Sequence, residues 1–295
     1  MTHWFILFVC GIILLACFFL LVMLIDGNRF KVVTYELTSE KVKRSHRFVL
    51  LADLHDKSFG KENASLLESI DELRPEAVFM AGDMMTAKGS CSYDHALELM
   101  RKLSEKYPVF YGMGNHESRL YSRPESYKGG AADYERRLKK LGIGMLQNEG
   151  RVLGDEFAVM GLELDWDYYR HFKIPPMEKE YLEETLGPAS KEKYQILLAH
   201  NPDYFENYAQ WGADLVLSGH VHGGIMRLPL LGGVISPTLL LFPKYDGGLF
   251  KKGSSAMILS RGLGTHTLPI RIFNPGELIL FTISPKRNLA KNKEN

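Results

Sequence analysis

Apolar positions follow two rhythms along this chain. The first is an unbroken run: from Trp4 to Ile25, 22 positions carry no charged side chain, and 16 of them are Leu, Ile, Phe or Val. As a helix this run spans about 33 Å, close to the hydrocarbon thickness of a bilayer of about 30 Å. Those 16 residues favour insertion by about 5 to 10 kcal/mol in total. A cleaved signal peptide is the alternative, and it calls for a basic start, a shorter apolar stretch and a small-residue cleavage site. Residues 1–3 have no Lys or Arg, and the sequence after "LLAC" (Leu14 to Cys17) continues as "FFLLVMLI". The run is therefore read as a single-pass membrane helix within residues 1–28. Basic residues follow it (Arg29, Lys31, Lys41, Lys43, Arg44), so the positive-inside rule predicts that the remaining chain is cytoplasmic.

The second rhythm fills residues 29–284, where short apolar runs alternate with helix-period segments, the signature of an α/β domain. "FKVVTYEL" (Phe30 to Leu37) reads as a strand. Helices are predicted over 63–73, with Leu66, Leu67, Ile70 and Leu73 on one face, and over 93–106, 132–140, 178–186 and 204–211. The polar residues 285–295 read as a solvated tail.

Five strand-like runs stop at residues able to bind metal. "FVLLADLH" ends in Asp53 and His55, "AVFMAGD" in Asp83, "VFYGMGNHE" in Asn115, His116 and Glu117, "QILLAH" in His200, and "LVLSGHVH" in His220 and His222. One such residue alone is more often a turn or cap. Together they are informative, because ligands of open α/β sheets gather beyond the carboxyl ends of the strands. Two residues apart in an extended segment, His220 and His222 are expected to project to one side, with Gly223 and Gly224 allowing close backbone approach. The other five histidines (His3, His46, His95, His171, His266) show no such arrangement.

Composition narrows the chemistry. Lys plus Arg is 36 against 35 for Asp plus Glu, so the chain lacks the positive field that favours nucleic acid. Of three cysteines, Cys10 and Cys17 lie in the apolar run, leaving Cys91 alone and excluding a disulfide framework.

Taken in order, Asp-x-His, Gly-Asp, Gly-Asn-His-Glu, a strand-terminal His and Gly-His-x-His resemble the blocks of the calcineurin-like metallophosphoesterases. "LLAHNPD", "LSGHVHGG" and "SRGLG" are most similar to its membrane-associated bacterial branch, which includes phosphodiesterases and pyrophosphatases related to UDP-diacylglucosamine hydrolase. The resemblance implies a four-layer α-β-β-α sandwich, two mixed sheets flanked by helices. It also implies two divalent metal ions, one held by Asp53, His55, Asp83 and His222 and a second by Asp83, Asn115, His200 and His220, with Asp83 bridging. Imidazole and oxygen donors without thiolate suit Mn, Fe or Zn alike. Two such ions about 3.5 to 4 Å apart neutralise phosphoryl oxygens and acidify water for in-line attack at phosphorus. His116 is then the group that protonates or stabilises the leaving oxygen, with Glu117 orienting it and raising its pKa.

The implied activity is hydrolysis of a phosphodiester or pyrophosphate, lipid-linked or soluble; a catalytically silent binding module is the remaining alternative. Three features depart from the commoner pattern: Asp56 after Asp-x-His, read as a loop cap; Glu117 where Asp is frequent; and Ile225 where Gln is frequent. Arg119, Arg123 and Lys128, in a Gly- and Pro-containing loop, are candidates for gripping phosphate, with an ordinary solvated surface as the alternative. The apolar stretches 165–172 and 228–235 are candidates for a lipid-facing cleft, with ordinary core as the alternative.

Overall fold

The computed structural model describes residues 2–286 except 89, 128, 171–172, 225, 229–230, 237–240 and 266–269. Expectations for Lys128, His171, Phe172, Ile225, His266 and the tail beyond Lys286 therefore lie outside the described residues. The chain opens with α1 (Thr2–Asn28), β1 (Phe30–Ser39), β2 (His46–Leu51), α2 (Ala64–Leu73) and β3 (Ala77–Ala81). A hairpin of β4 (Thr86–Lys88) and β5 (Ser90–Ser92) leads to α3 (Asp94–Ser104), β6 (Val109–Gly112), α4 (Asn115–Ser122) and α5 (Gly130–Lys140). Then come β7 (Met145–Leu146), β8 (Glu149–Leu153), β9 (Phe157–Leu162), α6 (Tyr181–Leu186), β10 (Tyr194–Ala199), α7 (Phe205–Trp211) and β11 (Leu215–Ser218). A small hairpin of β12 (Arg227–Leu228) and β13 (Gly232–Gly233) precedes β14 (Gly248–Lys252), β15 (Ser255–Leu259) and β16 (Gly276–Pro285).

Two six-stranded mixed sheets result, ordered β1-β16-β2-β3-β6-β7 and β14-β15-β11-β10-β9-β8. Period-2 alternation explains the layers. In β2, Phe48 and Leu50 enter the core between the sheets, while Val49 and Leu51 pack on the opposite face. On that face, Val78 and Met80 of β3 join residues of α2, α3 and α5. The second sheet does likewise: Ile196 and Leu198 of β10 face inward, and Leu197 and Ala199 join α6 and α7. Both faces being covered, these central strands read in sequence as continuous apolar runs. The expected α-β-β-α sandwich is thus the observed architecture.

The helix expected over 63–73 forms as α2, and those over 93–106 and 204–211 form as α3 and α7, each within one or two residues of its bounds. The helix expected from 178 begins at Tyr181, and the one expected from 132 begins at Gly130. The last strand runs to Pro285, and Lys286 N donates to Ser39 O at 3.0 Å.

Topology also fixes where α1 joins. β1 is parallel to β16, which is antiparallel to β2, so β1 begins at the edge where β2, β3 and β6 end. α1 is long and apolar enough to cross a membrane, and the window that qualifies it is unburied.

Phe48 lies 5.4 Å from Phe79 and Phe281 and 5.2 Å from Phe157, joining the two sheets through aromatic contacts. Truncation to Ala is expected to cost about 3 to 5 kcal/mol; denaturant unfolding of the detergent-solubilised full chain measures it.

Candidate metal centre

All seven residues expected to hold metal, with His116 and Glu117, come together at the carboxyl edge of the strands. Asp53 and His55 follow β2, Asp83 follows β3, Asn115 and His116 open α4, His200 follows β10, and His220 and His222 follow β11. Backbone bonds stitch the loops together: Asp53 N to Gly82 O at 3.0 Å, His55 N to Asp83 O at 3.0 Å, and Gly219 N to His200 O at 3.1 Å. Gly82 has φ +87°, and a Cβ there would lie 2.6 Å from Gly114 backbone, so a side chain would push two of these loops apart.

The donor atoms of Asp53, His55 and His222 lie within 4.8 Å of one another, and so do those of Asp83, His200 and His220. Asp83 reaches both groups: its Oδ2 is 3.2 Å from His200 Nε2 and 3.9 Å from His55 Nε2. Asp53 Oδ1 is 3.3 Å from His222 Nε2 and 3.7 Å from His200 Nε2. His55 and His222 bring their Nε2 atoms to 3.1 Å, and Asn115 Oδ1 lies 2.8 Å from His220 Nδ1. Asp53, Asp83 and His200 are essentially inaccessible to solvent.

His200 shows that this donor set fits a cation. Its Nδ1 donates to Ala81 O at 2.6 Å, so a neutral ring presents the bare Nε2 lone pair to two carboxylates. Lone pair facing anion is repulsive unless positive charge intervenes, and a ring N–H held by a backbone carbonyl is the usual support of a metal-binding imidazole. Without a cation the charge must be a proton. Burial alone would lower the His200 pKa, yet Asp83 and Asp53 carry it up to about 10. Burial pushes Asp53 up to about 7. At Asp83 burial acts in the same upward sense, but His200, His116 and His55 outweigh it and hold the carboxyl well below its usual range.

Six residues here have left-handed backbone: Asp53, His55, Asp56, Asp83, His220 and His222, with φ between 50° and 73°. Non-glycine residues rarely adopt it, and such strain concentrates at functional sites. This corrects the expectation for His220 and His222. The strand ends at Ser218, and tight turns rather than extended alternation aim the two rings.

His116 and Glu117 also differ from expectation. Ala87 N donates to His116 Nδ1 at 2.9 Å, so the neutral ring carries its proton on Nε2. Burial lowers the His116 pKa rather than Glu117 raising it. Glu117 points back under the loops: its carboxylate accepts from Asp83 N (2.8 Å), Met84 N (2.9 Å), Met85 N (3.4 Å), Gly114 N (3.0 Å) and Tyr111 OH (2.6 Å). It positions the turn that bears Asp83 and is not an orienting partner for His116. Asp56 is the expected cap, accepting from Ala96 N at 2.9 Å near the start of α3 and from Ser92 Oγ.

The stretch after the Asn-His-Glu block begins as a helix rather than a loop. α4 carries Arg119, whose guanidinium stacks 5.0 Å over the Trp166 ring; Arg123, just beyond it, lies 5.4 Å from the same ring. Tyr169 is buried against His220, with ring centroids 5.2 Å apart. His46 sits apart, between Glu76 and Glu156.

Sequence reasoning missed a second layer of residues. Asn274 Nδ2 donates to His222 O (2.7 Å) and Gly224 O (2.8 Å), and Asn274 N donates to Asp26 at the end of α1 (2.9 Å). The turn signature Asn274-Pro275-Gly276 was the available signal for it. Buried Arg271 ties together the carbonyls of Arg261, Gly264 and Asn274.

Replacing Glu117 by Ala leaves the buried amides of Asp83, Met84, Met85 and Gly114 without their acceptor, at about 1 to 3 kcal/mol for each one stranded. The variant is expected to lose more thermal stability than His116→Ala and to lose metal as well; calorimetry with metal analysis on one sample checks both.

A family model described as calcineurin-like phosphoesterase matches residues 46–224, more than half of the chain. The chain is 27% identical over 238 residues to the uncharacterized metallophosphoesterase YkuE of Bacillus subtilis, covering 79% of this chain and 76% of that protein. It is 27% identical over 226 residues to the phosphodiesterase YaeI of Escherichia coli, covering 74% and 75%. An uncharacterized metallophosphoesterase of Aquifex aeolicus is 26% identical over 265 residues, covering 88% and 93%.

Proposed function

The chain belongs to the calcineurin-like phosphoesterase family and is a metal-dependent phosphoester hydrolase; from that premise we propose that it is membrane-anchored and cleaves a phosphodiester or pyrophosphate bond of a lipid-linked substrate at a dinuclear centre. In this reading residues 1–28 form the anchor, residues 29–284 the catalytic domain, and residues 285–295 a polar tail. Asp53, His55, Asp83 and His222 would hold one divalent cation, and Asp83, Asn115, His200 and His220 the other. The observation that carries the assignment is Asp83 Oδ2, which faces an imidazole nitrogen of each group at 3.9 and 3.2 Å. When bound, the cations supply charge neutralisation at the phosphoryl oxygens and an acidified water.

The protein's own groups do the rest. His220 N donates to both oxygens of Asp53, at 3.0 and 3.1 Å, orienting that carboxylate. Asp83 Oδ1 accepts from His116 N at 2.7 Å, which leaves Oδ2 directed at the imidazoles. His116, held by Ala87 at Nδ1, keeps a transferable proton at Nε2 for the leaving oxygen. Arg119 and Arg123, spread over Trp166, supply cationic donors for a further anionic group of the substrate.

Assays with bis-p-nitrophenyl phosphate and added manganese test the assignment. Asp83→Asn is expected to abolish activity together with metal occupancy, whereas His116→Ala keeps its metal and loses kcat by about 10²- to 10⁴-fold. Loss of metal from the His116 variant would move His116 among the ligands. For the substrate class, one headgroup compared with and without acyl chains decides: a higher kcat/KM for the acylated form supports a lipid-linked substrate, and equal values assign a soluble one.

A further inference from the structure

We propose that the small lobe built on β12 and β13, together with the tip of the loop at Phe273, is inserted in the bilayer interface beside α1, so that the mouth of the metal centre is held at the headgroup plane. The proposal rests on reading α1 as a membrane span, and extends it from an anchor to a docked face.

Contact with α1 is the first observation. The ring of Phe273 packs against Phe18 and Phe19, with centroids 6.4 and 6.3 Å away. The next residue, Asn274, bonds through its backbone N to Asp26, seven to eight positions further along the helix. That separation is about 10 to 12 Å of helix axis. Phe273 thus reaches down the apolar side of α1 while Asn274 stays level with its polar end. At that end lie Arg29, Lys31 and Lys57, the last donating to Gly27 O, the kind of basic belt that sits among headgroups.

The lobe continues from the same loop. Met226 bridges to Ile272, Arg227 N donates to Ile272 O at 3.1 Å, β12 pairs with β13, and Ile235 bridges to Leu241. Val234 N donates to Met226 O at 3.0 Å and Phe242 N to Val234 O at 2.9 Å, so its described residues form a hydrogen-bonded unit. On it Leu231, Leu241 and Phe242 are 64%, 66% and 57% exposed, and Phe273, next in sequence to the Ile272 that bridges to Met226, is 42% exposed. Phe242 and Phe273 both have left-handed backbone, φ 49° and 54°, unusual for a bulky side chain. Large apolar side chains held outward on a fixed frame, continuous with an apolar helix, match a lipid surface and have no use in water.

The frame is wired to the site. Asn274 holds the carbonyls of His222 and Gly224, and Arg227 Nη1 donates to Gly223 O at 2.8 Å. The turn bearing His222 is therefore fixed to the same elements that touch α1. A substrate reaching the site from this face is an amphiphile whose phosphate lies at headgroup level while its chains stay in the bilayer.

The test uses three singly labelled full-length proteins, carrying native Cys10, Leu241→Cys or Ser254→Cys, with the remaining cysteines replaced by serine. Cys10 lies within α1, and Ser254 lies in the exposed turn before β15, at the opposite end of its sheet. Each carries a nitrobenzoxadiazole label and is reconstituted in vesicles of phosphatidylcholine and phosphatidylglycerol, with and without doxyl-labelled lipid. The label at 10, within the span, and the label at 241, as for a group about 5 to 10 Å into the interface, are each expected to be quenched by about two-fold or more, and the label at 254 to be unaffected. Quenching at 10 without quenching at 241 would overturn the docked lobe and leave the anchor standing. Quenching at neither 10 nor 241 would overturn the anchor and the lobe together. Equal quenching at 241 and 254 would overturn the lobe as a specific surface.

Discussion

Two carboxylates with almost no exposure, Asp53 and Asp83, face a set of imidazoles at the junction of two sheets. Burying anions is costly unless positive charge compensates, and His200 cannot do so as a neutral ring because its Nδ1 proton is committed to Ala81 O. The fold therefore carries a fixed electrostatic deficit at one place. Cations offset it, and their charge is what phosphoryl chemistry requires. Stability and activity thus draw on the same interaction.

The surroundings are organised to maintain that arrangement. Five left-handed residues, Asp53, His55, Asp83, His220 and His222, turn their side chains toward the centre, and such a backbone persists only where its neighbours over-determine it. Glu117 supplies much of that determination for the Asp83 turn, through four backbone amides and Tyr111. Asn274 does the same for the His222 turn and at once ties it to Asp26, 248 residues away in sequence. The centre is accordingly braced from inside the domain on one flank and from the end of α1 on the other.

The sandwich and the identity of the converging residues were legible because they depend on local rhythm. Doubly buried strands make continuous apolar runs, and each of β2, β3, β6, β10 and β11 is followed within three residues by a polar residue with metal-binding chemistry. What was not legible depends on backbone direction and distant partners. His220 and His222 looked extended because an apolar strand precedes them, but left-handed turns decide where their rings point. Glu117 looked like a partner for its neighbour His116; in α4 successive side chains diverge, and the carboxylate finds amides from the β3 end instead. Pro124, Gly129 and Gly130 make the stretch after Glu117 look like loop, whereas Gly114 and the Glu117 carboxylate cap a helix that runs on to Ser122. The link from Asp26 to Asn274 has no periodic signal at all.

The most direct measurement of the shared-carboxylate geometry is an anomalous difference map from crystals of the full chain grown with manganese. The account predicts two peaks about 3.5 to 4 Å apart, one among Asp53, His55 and His222, the other among His200, His220 and Asn115, with Asp83 touching both. A single peak, or a pair of which one lies out of reach of Asp83, would contradict it.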